Sequence, residues 1–130
     1  MSKCVTSEKV TSGVRVKTFP EYIPENSRPE EDKYFFSYRI VITNENSDPV
    51  QLLSRHWIII NSEGEREEVV GPGVVGKTPV IQPGEQFEYT SFCPLDTNWG
   101  TMEGVYQFVT HEGREFEVAI DRFVLVSDSV

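Results

Sequence analysis

Apolar residues alternate with polar ones at a period of two along most of this chain, and glycine or proline breaks the runs about every ten residues. No long segment carries the i, i+3, i+4, i+7 spacing that would bury one face of a helix. The alternation predicts strands, because successive side chains of a strand point to opposite faces. The clearest run is Tyr34 to Thr43, which sets Phe36, Tyr38, Ile40 and Ile42 on one face and Ser37, Arg39 and Thr43 on the other. Further runs are predicted at Val14 to Phe19, Val50 to Ile60 (with Leu53, Trp57 and Ile59 among its apolar members), Arg66 to Val70, Val80-Ile81, Gln86 to Phe92, Met102 to Thr110 and Glu115 to Val126.

Turn chemistry separates them. Asn61-Ser62-Glu63-Gly64 suits a hairpin, and in Gln82-Pro83-Gly84-Glu85 the proline and glycine suit the two central positions of a type II turn. Pro20 is expected to end the first run, since it cannot donate to a ladder. Residues 20 to 33, with three prolines and five acids, read as a long acidic loop, and Cys93 to Gly100 as a second loop. Seven to eight strands at this spacing predict an all-β fold, a two-sheet antiparallel β-sandwich of the immunoglobulin or fibronectin type III kind. Gly104-Val105-Tyr106-Gln107-Phe108 has the layout of a tyrosine corner, and Trp57 stands where a core tryptophan of the third strand would lie. All 130 residues are assigned to one domain, with 127–130 expected to fray.

Composition limits the partners. With 12 Lys+Arg against 21 Asp+Glu the formal charge is −9, which argues against duplex nucleic acid and anionic membrane, both held by clustered cations. No apolar run approaches the roughly 18 residues of a membrane span, and the first residues lack a signal-peptide core, so a cytoplasmic protein is expected. Two cysteines, Cys4 and Cys93, do not make a disulfide framework.

Few residues suggest chemistry. Gly71-Pro72-Gly73-Val74-Val75-Gly76 matches G-x-G-x-x-G, but Lys77-Thr78-Pro79 follows it instead of a helix, Pro72 lacks a donor, and no βαβ unit surrounds it. Two readings stay open: an amide nest for an oxyanion with Lys77 beside it, or a tight crossover between sheets. His56, His111, Cys4 and Cys93 hold no zinc spacing, so neither metal nor cofactor is expected. Glu115, Glu117 and Asp121 on the last strand read as a solvated face, and Cys93 as a structural thiol. In Ser54-Arg55-His56-Trp57, an inward Trp57 turns Arg55 inward and His56 outward. Arg55 then needs a partner, Asp96 or a carbonyl, unless it lies at the sheet edge and stacks on an aromatic ring.

Five stretches taken together resemble the ApaG family of small bacterial proteins: Tyr38-Arg39-Ile40-x-Ile42-x-Asn44, Val50 through Trp57, Gly71-x-Gly73-Val74-Val75-Gly76, Pro83-Gly84-Glu85-x-Phe87-x-Tyr89 and Gly100-x-Met102-x-Gly104-x-Tyr106. The likeness spans about residues 10 to 125. It implies a fibronectin type III-like sandwich, partner recognition, and a link to Mg²⁺ and Co²⁺ homeostasis. It also implies a phosphate-ligand site that falls on Gly71, Gly73 and Gly76. Asp121, where a proline is expected, and Lys77-Thr78, in place of a Glu-Gln pair, depart from the family pattern. The expected function is a non-enzymatic module that binds a protein partner through loops or a sheet edge, with Arg55, His56 and Trp57 as contact or anchoring residues. The alternative is binding or hydrolysis of a pyrophosphate-containing nucleotide at Gly71, Gly73, Gly76 and Lys77.

Overall fold

The computed structural model describes residues 6–127, which fold into nine strands and two single 3₁₀ turns. The strands are β1 (Ser7–Thr11), β2 (Val14–Tyr22), β3 (Tyr34–Asn44), β4 (Val50–Asn61), β5 (Arg66–Pro72), β6 (Val80–Ile81), β7 (Gln86–Leu95), β8 (Trp99–Thr110) and β9 (Glu115–Val126). One sheet has the order β1-β2-β3-β7 and the other β5-β4-β8-β9, with β6 also pairing with β4, and every pairing is antiparallel. The β4-β8-β9 order, with β5 beside β4, is the C-F-G arrangement of immunoglobulin-like sandwiches extended by a C′ strand. The expected sandwich is the observed one.

Its core is where the alternation puts it. Phe36, Ile40 and Ile42 of β3 are fully buried, with Tyr38 beside them. Trp57, 2% exposed, meets Tyr38, Tyr106 and Phe123 edge-on, with ring centroids 5.3, 6.4 and 6.0 Å away. Such aromatic pairs add about 0.5–1.5 kcal/mol each beyond the area they bury.

The structure corrects several expectations. It has nine strands, not seven to eight, because β1 was not foreseen. β1 carries almost no buried side chain and is instead held by a two-residue turn at Ser12-Gly13 against β2. β2 runs through Pro20 to Tyr22, since Pro20 lies past the end of β1, where its missing N–H faces no neighbour among the described residues. The second expected loop is mostly strand: β7 continues to Leu95 and β8 begins at Trp99. Of the apolar members of β4, Leu52 is fully buried and Leu53 is not, because Leu53 is the extra residue of a β-bulge against β8 and the inward parity changes there. A second bulge at Asp121-Arg122, opposite Glu103, does the same in β9. Tyr106 is buried, but its hydroxyl meets that of Tyr89 at 2.5 Å, a side-chain pair rather than the backbone contact of a tyrosine corner. Ser127 is not frayed: it is buried and its amide donates to the Asn98 carbonyl at 3.0 Å, while residues 128–130 and Cys4 lie outside the described residues.

The two long sides of the sandwich differ. On one, β1 and β9 are tied together by Ser7 Oγ donating to the Asp121 carbonyl (3.0 Å) and the Ala119 amide donating to Thr11 Oγ1 (3.2 Å). On the other, β5 and β7 are the outermost strands of their sheets.

Candidate functional site

The β4 bulge sets up the glycine-rich segment. At the bulge the Leu53 carbonyl accepts from the Gly73 amide at 2.7 Å, so the chain leaving β5 is drawn back over β4. Val74 and Lys77 then exchange hydrogen bonds (2.8 and 2.9 Å) around a two-residue turn with Val75 and Gly76 at φ +44° and +80°. Gly73 itself has φ +60°, and a Cβ there would collide with the Lys77 carbonyl. The segment is a tight turn between β5 and β6, which both pair with β4, so it stays within one sheet and is not the crossover between sheets expected from sequence. The amides of Val74 and Lys77 are spent within it, and that of Gly73 on the Leu53 carbonyl of β4.

Arg55 shares the inward parity of Trp57, and its partner is a carbonyl pair rather than Asp96. Nη1 donates to Pro72 O at 2.9 Å and to Gly73 O at 2.8 Å. The guanidinium packs against Gly71, its lateral neighbour on β5, whose missing side chain leaves the space. The aromatic stacking considered for Arg55 belongs to Arg39, which lies 4.3 Å from the Phe19 ring centroid. Around Arg55 opens a recess of about 360 Å³, lined also by Tyr38, Tyr89, Ser91, Val75 and Gly76.

Arg55 is the one cationic residue of the lining, beside Tyr38, Tyr89 and Ser91. Burial pushes the phenols of Tyr38, Tyr89 and Tyr106 above their ordinary value, and the Arg55 charge opposes that only in part. All three stay protonated at neutral pH. No carboxylate or imidazole lines the recess.

His56 and Lys77 are not brought into it. His56 faces outward and its Nε2 lies 2.8 Å from Glu68 Oε1; this contact, with Arg66 second, holds the Glu68 carboxyl below its ordinary range. Cys93 is buried, its thiol pushed up to about 12 by burial, which suits a structural residue rather than a nucleophile. Among the described residues no three His, Cys, Asp or Glu side chains cluster to hold a metal ion.

A second feature escaped the sequence reading altogether. Between the outer strands β5 and β7 lies a groove of about 640 Å³ with Ile59, Pro94 and Leu95 as its apolar floor. Glu31, Asp32, Glu65, Glu67 and Asp96 line it, against Lys33 and Arg66. Lys33 pairs with Glu31 at 3.5 Å and Arg66 with Glu68 at 2.9 Å. Among the described residues, Asp32, Glu65, Glu67 and Asp96 form no ion pair. Asn61 holds two of these acids in place, its Nδ2 donating to Glu65 Oε1 at 2.7 Å and to Asp96 Oδ1 at 3.0 Å. The only sequence signal was the acid density of the 21–32 loop, whose last residues form one wall.

Compared with known proteins, residues 24–110 match the model of the ApaG domain. The chain belongs to the ApaG family. Protein ApaG of Methylobacterium sp. (strain 4-46) is 52% identical over 115 residues, 88% of each chain. Protein ApaG of Bdellovibrio bacteriovorus is 53% identical over 106 residues, 82% of this chain and 84% of that one. The crystal structure of the putative ApaA protein from Bordetella pertussis superposes with a TM-score of 0.86 at 46% identity, covering 98% of this chain and all of that one. The expected family and its sandwich fold are thus both found. Among the described residues no helix is long and apolar enough to cross a membrane.

Proposed function

We propose that this ApaG-family protein is a non-enzymatic cytoplasmic module that binds a protein partner, taking a basic, extended segment along the open side of the sandwich. The observation that carries this is the groove between β5 and β7, where four carboxylates that form no ion pair among the described residues line an apolar floor. Outermost strands present backbone groups to which an added strand can bond. Val70 on β5 and Phe92 on β7, 72% and 58% exposed, add apolar contact on the two edges. A formal charge of −9 draws a cationic partner in and repels acidic ones. Any part in Mg²⁺ or Co²⁺ homeostasis would run through such a partner.

The test is a competition series of extended peptides of one length and varied charge, bound to the wild type and to Glu67→Lys. Basic peptides are expected to bind best, to weaken with added salt, and to lose about tenfold in affinity on the variant. Affinity indifferent to peptide charge and to the substitution overturns the reading. The nucleotide alternative at Gly71, Gly73, Gly76 and Lys77 has less support, because the turn keeps only the Val75 and Gly76 amides outside its own hydrogen bonds. A phosphate would also approach against the acidic field.

A further inference from the structure

We propose that the recess at Arg55 is a receptor for a single carboxylate group. The guanidinium is already positioned: Nη1 is fixed by the Pro72 and Gly73 carbonyls, and the planar group rests against Gly71. Its Nε and Nη2 make no hydrogen bond within the described residues, and Arg55 forms no ion pair there. Among those residues no buried side-chain nitrogen or oxygen lacks a partner, so the unbonded Arg55 nitrogens face solvent in the recess. A rigid guanidinium edge with two parallel N–H groups matches the two oxygens of a carboxylate.

The rest of the lining agrees with that ligand. Ser91 faces Tyr38 across the β3–β7 ladder, and both residues line the recess together with Tyr89, whose hydroxyl is engaged with that of Tyr106. Val75 and Gly76, whose amides bond to no other backbone group, form its rim. Trp57 and Val74 give it apolar wall for the carbon adjoining the carboxylate.

One cation among neutral donors balances one negative charge. A phosphate dianion would need a second cation, and Lys77 does not line the recess. The acidic field of the molecule also penalises a dianion twice as much as a monoanion. The site therefore selects a carboxylate, whether a chain end or an acidic side chain.

The experiment titrates the full chain with N-acetylglycine, N-acetylglycine amide, N-acetylaspartic acid α-amide and inorganic phosphate, following backbone amide shifts. Saturable shifts at Val75, Gly76 and Ser91, with Kd in the millimolar range, are expected for the two carboxylates and not for N-acetylglycine amide. The tighter of the two identifies chain end or side chain as the source. Arg55→Gln is expected to abolish the shifts. Ser91→Ala, which leaves Arg55 in place, is expected to weaken binding severalfold and keeps the test informative should Arg55→Gln not fold. Equal response to N-acetylglycine amide, no saturation at millimolar carboxylate, unchanged affinity in the variants, or tighter binding of phosphate each overturns the proposal. No protein partner enters the titration, so its outcome is separate from that of the acidic groove.

Discussion

Gly71 lies against the guanidinium of Arg55: a Cβ added at position 71 would stand 3.0 Å from Nη2 and 3.1 Å from Nη1. The glycine is there for space, since its neighbour across the ladder is the arginine itself. Gly71→Val is therefore expected to destabilise the fold by about 1–3 kcal/mol, the usual cost of overpacking. Urea unfolding checks this: the midpoint should fall with its slope unchanged. An unaltered midpoint would show that Arg55 moves aside freely.

Tyr89 and Tyr106 share one buried hydrogen bond between the sheets. Tyr106→Phe strands the Tyr89 hydroxyl and is expected to cost about 1–3 kcal/mol, whereas removing both hydroxyls leaves no orphan. In a double-mutant cycle the two single losses should exceed the double loss by about 0.5 kcal/mol or more. Simple additivity would deny the pair any coupling.

The same burial makes stability depend on alkaline pH. Tyr38, Tyr89 and Tyr106 hold their protons above the ordinary value of about 10 in the folded chain, and the unfolded chain releases them near that value. Above pH ~10 the folded state thus binds more protons than the unfolded one, and stability falls as pH rises. Cys93, whose thiol burial pushes up to about 12, should begin the fall near its unfolded value of pH ~8.5, and the phenols should steepen it beyond pH ~10. Denaturation midpoints across that interval decide it, and ultraviolet titration should show these phenols ionising only as the protein unfolds.

Cys93, buried and with its thiol pushed up to about 12, is expected to resist alkylation while the chain is folded. At pH ~8 its modification, followed on the peptide that contains it, should be about 100-fold slower than in concentrated urea. Comparable rates would place the thiol at the surface.

Asn44 is buried where β3 ends, with Nδ2 donating to the Asp48 and Ile81 carbonyls at 2.9 Å each and Oδ1 accepting from the Asn46 amide at 2.9 Å. Asn44→Leu keeps the volume and removes all three bonds, at an expected cost of about 1–3 kcal/mol. Thermal unfolding measures it, and a neutral result would mean that those backbone groups find water.

Some of this was legible in advance. Because strand parity is local, Phe36, Tyr38, Ile40 and Ile42 could be assigned to the core and Arg55 turned inward with Trp57 while His56 turned out. Parity fails where a bulge inserts a residue, which is why Leu52 and Trp57, five positions apart, both face the core. β1 was missed because an edge strand that buries almost nothing leaves no apolar pattern. Arg55 was given two candidate partners, and choosing between Asp96 and a carbonyl required knowing which strand lies beside β4.

By itself the sequence determined the two-layered all-β architecture, most strand positions and the inward and outward faces of the regular runs, since each follows from side-chain alternation and turn chemistry within a few residues. Tertiary structure alone decided the two hollows. The Arg55 recess forms because the bulge at Leu53 draws Gly73 back over β4 and brings Pro72 and Gly73 carbonyls to one guanidinium. The acidic groove forms because β5 and β7, which belong to different sheets, end up as facing edges. Contacts made by chain folding of that kind leave no periodicity to read.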